Sequence, residues 1–434
     1  MLKKVRKTIV TLLVSALAMN IMVTGASAEQ ANSLGLAVKS AILIDADTGI
    51  TIYEYNANTA LPPASMAKMM TEYVVAEAVS KGKIKWTSPV VISEFAAAIS
   101  GSGQLIAAGE TYTVRELYRN MSIFSGNDAS VALAEFVAGS ESKFVDLMNA
   151  TAKSLGMTSA HFVNSTGLNK EDYPQQFAQF ISNEPGETVV NARDLAILAR
   201  AIITKYPEVL EYTKLTQAYR VEGDTSTELM QNWNWMLEGW KEFNNNFSKI
   251  AYTGLDGLKT GHTDEAGYCF TGTAKRGDMR LISVVMGAGT IEGRFEQTRK
   301  LMDYGFNNFE KKSIIGAKKA VKQLPTVYVP KAKHKNVEVV TAKPVTLILP
   351  KGTSAKSIKV TAKALPESKL VAPMKKGAKL GTLTVTYKSD NGMMKTNVDL
   401  VAKEEVKKAG FVRLFFRAIG GVFAGLFDGI KNLF

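Results

Sequence analysis

The chain has a single cysteine, Cys269, and only three histidines among 434 residues. One cysteine excludes a disulfide framework and any zinc site built on paired thiolates, and so few histidines argue against a dedicated histidine metal centre. Arginine is missing from residues 311–410, where 22 lysines stand. There is no internal repeat and no low-complexity tract. Chemistry must therefore come from hydroxyls, amines and carboxylates. What the chain does have is apolar material. A hydrophobic fraction of 46% excludes a disordered polypeptide and supplies a sizeable core. Its length leaves room for two or three domains of roughly 150 residues each.

The formal net charge of +13 hides an uneven distribution. Residues 1–28 carry four cations (Lys3, Lys4, Arg6, Lys7) and no acid. Residues 29–310 hold 24 bases against 33 acids, a net −9, whereas residues 311–410 hold 22 lysines against 6 acids, a net +16. A break of that size near 310 marks a domain boundary.

Both ends carry membrane-related signals. After the charged start comes an uncharged run from Thr8 to Ala28, closing on Ala26-Ser27-Ala28, the small-x-small pattern of a cleaved signal peptide. A run of that length could also just span a bilayer, but the cleavage pattern favours removal before Glu29. Export is then expected, and Cys269 is read as a core residue. At the other end, Phe411, Phe415, Ile419, Val422, Leu426, Ile430 and Leu433 step by three or four residues and hold one helical face. Arg413, Arg417, Asp428 and Lys431 fall opposite. The longest uncharged run there, Ala418 to Phe427, is 10 residues, too short to cross a bilayer. An amphipathic helix lying in the membrane interface fits, with a helix docked on its own domain as the alternative.

Between the ends, residues 40–56 read as two strands around an Asp47-Thr48-Gly49 turn. Pro62 and Pro63 then open an apolar helix from Ser65 to about Ala78. Helical patterns follow at 114–121, 128–138, 142–155 and 191–204. Strand patterns return at 265–275 and 279–288, before a long helix at 291–309. Strands at both ends with helices between predict one mixed α/β domain whose sheet is closed by its two termini. From Leu324 to Ala402 short β-rich runs broken by proline and glycine predict a small all-β module.

Three short motifs carry candidate chemistry. Ser65-Met66-Ala67-Lys68 sets a hydroxyl one helical turn from an amine. Serine needs a base to become a nucleophile, and lysine is one only when burial or a neighbouring cation lowers its pKa. The pattern occurs three times. Ser80-Lys81-Gly82-Lys83 and Ser140-Glu141-Ser142-Lys143 read as solvated turns, because only Ser65 has a proline-opened apolar helix behind it. Ser125-Gly126-Asn127 ends one apolar helix and opens another, offering a second hydroxyl and an amide. Its copy, Ser389-Asp390-Asn391, reads as a hairpin loop. Lys259-Thr260-Gly261 occurs once, at the start of an expected strand, supplying a cation, a hydroxyl and a glycine past which a substrate backbone fits.

In the order Ser-x-x-Lys, Ser-x-Asn, Lys-Thr-Gly, spaced by 60 and 134 residues, these motifs resemble the signature of penicillin-recognising serine enzymes. The chain looks like a low-molecular-mass penicillin-binding protein of the D-alanyl-D-alanine carboxypeptidase A type. Pro63-Ala-Ser-Met-Ala-Lys-Met-Met-Thr71, Asp256-Gly-Leu-Lys-Thr-Gly-His-Thr263 and Val371-Ala-Pro-Met-Lys-Lys-Gly377 support the likeness. It implies a β-lactamase/transpeptidase-like catalytic domain over 29–310, a lysine-rich β domain over 311–405 and a membrane-anchoring helix over 406–434. It also implies site roles. Ser65 is acylated by the penultimate D-alanine carbonyl, with Lys68 as its base. Ser125 passes a proton toward the leaving D-alanine, Asn127 holds the substrate amide, and Lys259 keeps Lys68 neutral. Backbone N–H groups of Ser65 and His262 form the oxyanion hole, and Thr260 and Arg294 grip the terminal carboxylate beside Gly261. No metal or cofactor is implied. The implied partners are peptidoglycan stem peptides, β-lactams as covalent inhibitors, and the outer face of the cytoplasmic membrane.

Rival readings fit less well. A Ser-His-Asp hydrolase finds only His161 and His262 in the 29–310 region, and no Gly-x-Ser-x-Gly elbow. A class A β-lactamase needs a Glu-x-x-x-Asn loop. Glu187-Thr-Val-Val-Asn191 matches, but begins 62 residues after Ser125 and reads instead as a helix opening capped by Asn191. Transpeptidase and endopeptidase chemistry share the same acyl-enzyme, so the acceptor stays open at this point. A non-catalytic penicillin sensor or wall scaffold finds every motif position filled and no signalling domain. Nucleic-acid binding by the basic module is disfavoured by export, by the missing arginine and by the lack of an aromatic stacking stripe.

Overall fold

In the computed structural model of this chain, residues 32–417 and 419 are described, apart from 104–105, 244 and 390–391. The expected signal peptide and residues 420–434 of the tail lie outside the described residues. The architecture is mixed α/β, as expected. Strands β1 (Ser40–Asp45), β2 (Thr51–Tyr55), β3 (Leu255–Thr263), β4 (Gly267–Arg276) and β5 (Met279–Ala288) form one antiparallel sheet in the order β2-β1-β5-β4-β3. The N-terminal hairpin is thus joined edge-on to the three late strands through the pairing of β1 with β5.

Strand β1 is buried at every position because side chains alternate across a sheet covered on both faces. Ile42 and Ile44 enter the larger core, with Val284 and Met286 of β5. That core is built from α1 (Lys68–Ser80), α2 (Val114–Ile123), α3 (Asn127–Ala138), α4 (Glu141–Leu155) and α5 (Ala192–Lys205). Ala41 and Leu43 point the other way, onto Phe295, Leu301 and Met302 of α6 (Ile291–Asn308). Cys269 is fully buried in the first of these cores.

Local signals explain where the helices begin. Thr113 and Glu116 form a reciprocal capping box on α2, and Thr290 caps α6. Asn191 caps α5 by accepting from Asp194 N, which answers its competing reading as part of a lactamase loop. The second Ser-x-x-Lys copy starts on Ser80, the last residue of α1, and runs into an exposed turn. The third differs from expectation: Ser140 is the N-cap of α4, accepting from Lys143 N, because a serine followed by an amphipathic run satisfies a free helix-end N–H.

Helix α6 ends at Asn308, and β6 (Phe309–Ile315) pairs with β9 (Val345–Pro350). A second antiparallel sheet follows, in the order β7-β8-β12-β11-β10, from β7 (Thr326–Tyr328), β8 (Asn336–Thr341), β10 (Ile358–Ala364), β11 (Lys379–Ser389) and β12 (Gly392–Ala402). Ser389 lies opposite Gly392 in the β11–β12 pair, and Asp390 and Asn391 of the second Ser-x-Asn copy lie outside the described residues. Residues 411–417 and 419 are helical, with Phe411, Val412, Phe415 and Phe416 exposed. Arg417 Nη1 donates to the Ala332 carbonyl at 2.8 Å, and Arg413 Nη1 to that of Lys333 at 3.2 Å. No helix among the described residues is long and apolar enough to cross a membrane.

Candidate active site

Ser65 does not sit on the α-helix itself. It lies in a 3-10 turn, Ala64–Ala67, that runs into α1 at Lys68. With three residues per turn, positions i and i+3 eclipse, so the Ser65 and Lys68 side chains stack more directly than on an α-helix. Ala64 holds φ +47° at the head of this turn, a conformation that costs a non-glycine residue about 1–3 kcal/mol. The turn is pinned from two sides by glycines. A Cβ on Gly167 (φ +80°) would lie 2.0 Å from the Ala64 carbonyl, and one on Gly261 would lie 2.6 Å from that of Pro63. The glycine of the Lys-Thr-Gly motif therefore admits the protein's own nucleophile turn, where a substrate backbone was expected.

Lys68 is completely buried. Its Nζ lies 2.9 Å from Ser65 Oγ, 2.7 Å from Asn127 Oδ1 and 2.8 Å from the Thr166 carbonyl. The Asn127 amide is oriented by its own Nδ2, which donates to the Ser100 carbonyl at 2.7 Å. Two of the three neighbours of Nζ are thus oxygens that can only accept. A neutral amine has two N–H groups and one lone pair; those oxygens take the N–H groups, and the lone pair is left for the Ser65 hydroxyl. Burial pushes the Lys68 amine well below the ordinary lysine pKa. The nearby charge of Lys259 pushes the same way, while Asp128 and Glu72 oppose.

Ser125 joins α2 to α3 in the left-handed region, φ +70°, and is almost fully buried. Lys259 Nζ donates to Ser125 Oγ at 2.8 Å and to the Thr260 carbonyl at 3.0 Å. Burial lowers the Lys259 pKa to about 7; Glu72 raises it and Arg294 lowers it further. The motif lies in the middle of β3, not at the start of a strand. Strand β3 begins four residues earlier, with a bulge between Leu255 and Gly257 that breaks its alternation.

These elements face one cleft of about 550 Å³, reached by Ser65, Ser125, Thr260, Gly261, His262 and Arg294. The two lysines lie beneath its floor. His262 is exposed and stacks on Tyr268 at 4.1 Å. Arg294 is nearly buried, with Nη1 3.5 Å from the Gly261 carbonyl. Asn127 is 1% exposed and turned toward Lys68, so both ends of its amide are engaged within the protein.

A family model described as D-alanyl-D-alanine carboxypeptidase matches residues 25–290. The chain is 36% identical over 392 residues to D-alanyl-D-alanine carboxypeptidase DacF of Bacillus subtilis, an overlap of 90% of this chain and 92% of that protein. The chain belongs to the D-alanyl-D-alanine carboxypeptidase family. Residues 309–408 match the C-terminal domain of penicillin-binding protein 5. The solved penicillin-binding protein 5 of Haemophilus influenzae superposes with a TM-score of 0.68 at 28% identity, over 86% of this chain and 98% of that one. Penicillin-binding protein D2 of Listeria monocytogenes, solved in an ampicillin-bound form, matches 63% of this chain and 99% of its own at 34% identity, with a TM-score of 0.50.

This carboxypeptidase site also uses residues that no motif announced. The buried loop Asn164–Gly167 brings the Thr166 carbonyl to Lys68. Glu141 on α4 holds the loop by accepting from Ser165 N at 3.0 Å, Ser165 Oγ at 2.7 Å and Tyr173 Oη at 2.9 Å. Glu72 lies one turn beyond Lys68, fully buried. Phe124 and Trp233 line the cleft mouth. The turn-prone run Asn164-Ser165-Thr166-Gly167 was a sequence signal for the loop; Glu72 left none beyond its place in an apolar helix.

Proposed function

We propose that the chain removes the terminal D-alanine from peptidoglycan stem pentapeptides through an acyl-enzyme on Ser65. It is a serine-type D-Ala-D-Ala carboxypeptidase, and the atoms of this cleft supply the steps. Ser65 Oγ attacks the penultimate D-alanine carbonyl while its proton passes to the Lys68 lone pair. Charge on the carbonyl oxygen is met by the backbone N–H groups of Ser65 and His262, an arrangement that contributes roughly 3–4 kcal/mol in other acyl-transfer enzymes. The C–N bond breaks as the leaving amine takes a proton through the Ser125 hydroxyl, which Lys259 holds at 2.8 Å. Thr260 and Arg294 bind the terminal carboxylate. Water then adds to the ester and regenerates Ser65. A β-lactam acylates the same oxygen and stays.

The observation that carries this reading is the pairing of Lys68 with two acceptor-only oxygens, which leaves one free direction for proton uptake, toward Ser65. Incubation with a pentapeptide stem, with and without an added amine, tests it. Free D-alanine without crosslinked product is expected, and transfer to the amine would make the enzyme a transpeptidase.

The protein works exported, on the outer face of the cytoplasmic membrane, with the tail helix as its anchor. Support comes from the small-x-small end of the N-terminal apolar run and from the exposed Phe411, Phe415 and Phe416. The arginines at 413 and 417 turn toward the module, leaving the phenylalanines for lipid.

A further inference from the structure

Glu72 is completely buried, and among the described residues its carboxylate has one donor acting on it, the Ser122 hydroxyl, at a geometry short of a well-formed hydrogen bond. A buried carboxylate so sparsely hydrogen-bonded is expensive, and a compensating charge offsets that cost. The groups acting on it come from three elements. Helix α1 offers Lys68, four residues back, and strand β3 offers Lys259. Helix α2 offers the Tyr118 phenol, which donates to the Glu72 backbone carbonyl at 3.4 Å, and the buried Ser122 hydroxyl, which acts on the carboxylate itself. Asp128 at the start of α3 acts on Lys68. Lys259, for its part, spends its hydrogen bonds on two uncharged oxygens, Ser125 Oγ and the Thr260 carbonyl. Among the described residues, burial lowers its pKa, Glu72 raises it and Arg294 lowers it.

We infer that Glu72 is the counter-charge of the catalytic floor, a positioning residue that keeps Lys259 protonated so that Lys259 in turn keeps Lys68 neutral. It touches no substrate. Burial raises the Glu72 carboxyl to about 7, which disfavours its charge; the Ser122 hydroxyl and then both lysines oppose that rise, and the Lys259 charge pushes Lys68 down. The inference rests on the acyl-enzyme reading above, in which acylation needs Lys68 neutral and Lys259 charged. The rate then rises with pH through the Lys68 titration and falls again through that of Lys259. Removing a negative charge near both amines lowers both pKa values, so both limbs move to lower pH.

The test is Glu72→Gln in the full chain, measuring the rate constant for Ser65 acylation by benzylpenicillin, and D-alanine release, against pH. We expect both limbs to move toward acid by about one unit, with a roughly tenfold loss on the alkaline side. Glu72→Asp, which keeps the charge but withdraws it by one methylene, should move them less. A folded Glu72→Gln enzyme whose limbs coincide with wild type would overturn the inference. If Glu72→Gln does not fold, Glu72→Asp decides: limbs shifted in the acid direction support the inference, and unmoved limbs refute it. A wild-type enzyme that neither labels nor releases D-alanine would instead undo the acyl-enzyme reading.

Discussion

Lysine serves two opposite purposes in the two halves of this molecule. In the α/β part, Lys68 and Lys259 are buried to 0% and 3% exposure, with Glu72, Asp128, Glu141 and Arg294 also withdrawn from water. In the module from residue 311 onward, none of the described lysines is buried. Taking charge out of water is costly, so charged groups go inside only where other charges and fixed dipoles offset the cost. The acyl-transfer site is such a place. There burial is the device by which the proposed mechanism makes a base of Lys68, whereas a module lysine keeps its hydration. Net charge therefore says little about where lysines are buried: the part with net −9 holds the two buried lysines, and the part with net +16 holds none among the described residues.

The largest expected effect removes the nucleophile. Ser65→Ala should lower D-alanine release by a factor on the order of 10⁵–10⁶ and abolish covalent penicillin labelling, read by turnover and by intact mass. Next comes its base: Lys68→Met should cut the acylation rate by about 10²–10⁴, seen in stopped-flow acylation. Gly167→Ala should act through structure. A methyl group 2.0 Å from the Ala64 carbonyl forces the nucleophile turn to move, and we expect about 3 kcal/mol or more of lost stability by chemical denaturation, with acylation impaired in what remains folded. Deleting 411–434 should leave turnover of a soluble pentapeptide unchanged while releasing the protein from membranes; continued sedimentation with vesicles would count against the tail as anchor. The smallest effect belongs to the module. Lys359→Gln, at an exposed site, should change stability by less than about 0.5 kcal/mol and leave kcat/KM untouched. A large effect there would break the contrast between the two kinds of lysine.

Much of this was legible in the sequence, for physical reasons that differ by residue. The β1 pattern and the helices from 114 to 204 announced themselves through periodicity, because a face that must be buried repeats with its element. Ser65, Ser125 and Lys259 stood out through the order and spacing of their three motifs. Strand β3 was harder to place, since its bulge beside Gly257 shifts the alternation that would mark it. Loop 164–167 carries turn-forming residues, but nothing in their spacing says that a main-chain carbonyl will meet Lys68. Glu72 was invisible because an acid in an apolar helix reads as one solvated position. Only the fold brings Tyr118 and Ser122 of α2, and the charge of Lys259 on β3, to bear on it.

The central claim is that a neutral Lys68 takes the proton of Ser65. The most direct measurement is the pH dependence of the Ser65 acylation rate constant in the wild-type enzyme and in Lys68→Met. An ascending limb centred well below the ordinary lysine value of 10.5 is expected in the wild type, and its loss in the variant. An ascending limb near 10.5, or the same limb surviving without the amine, would contradict it.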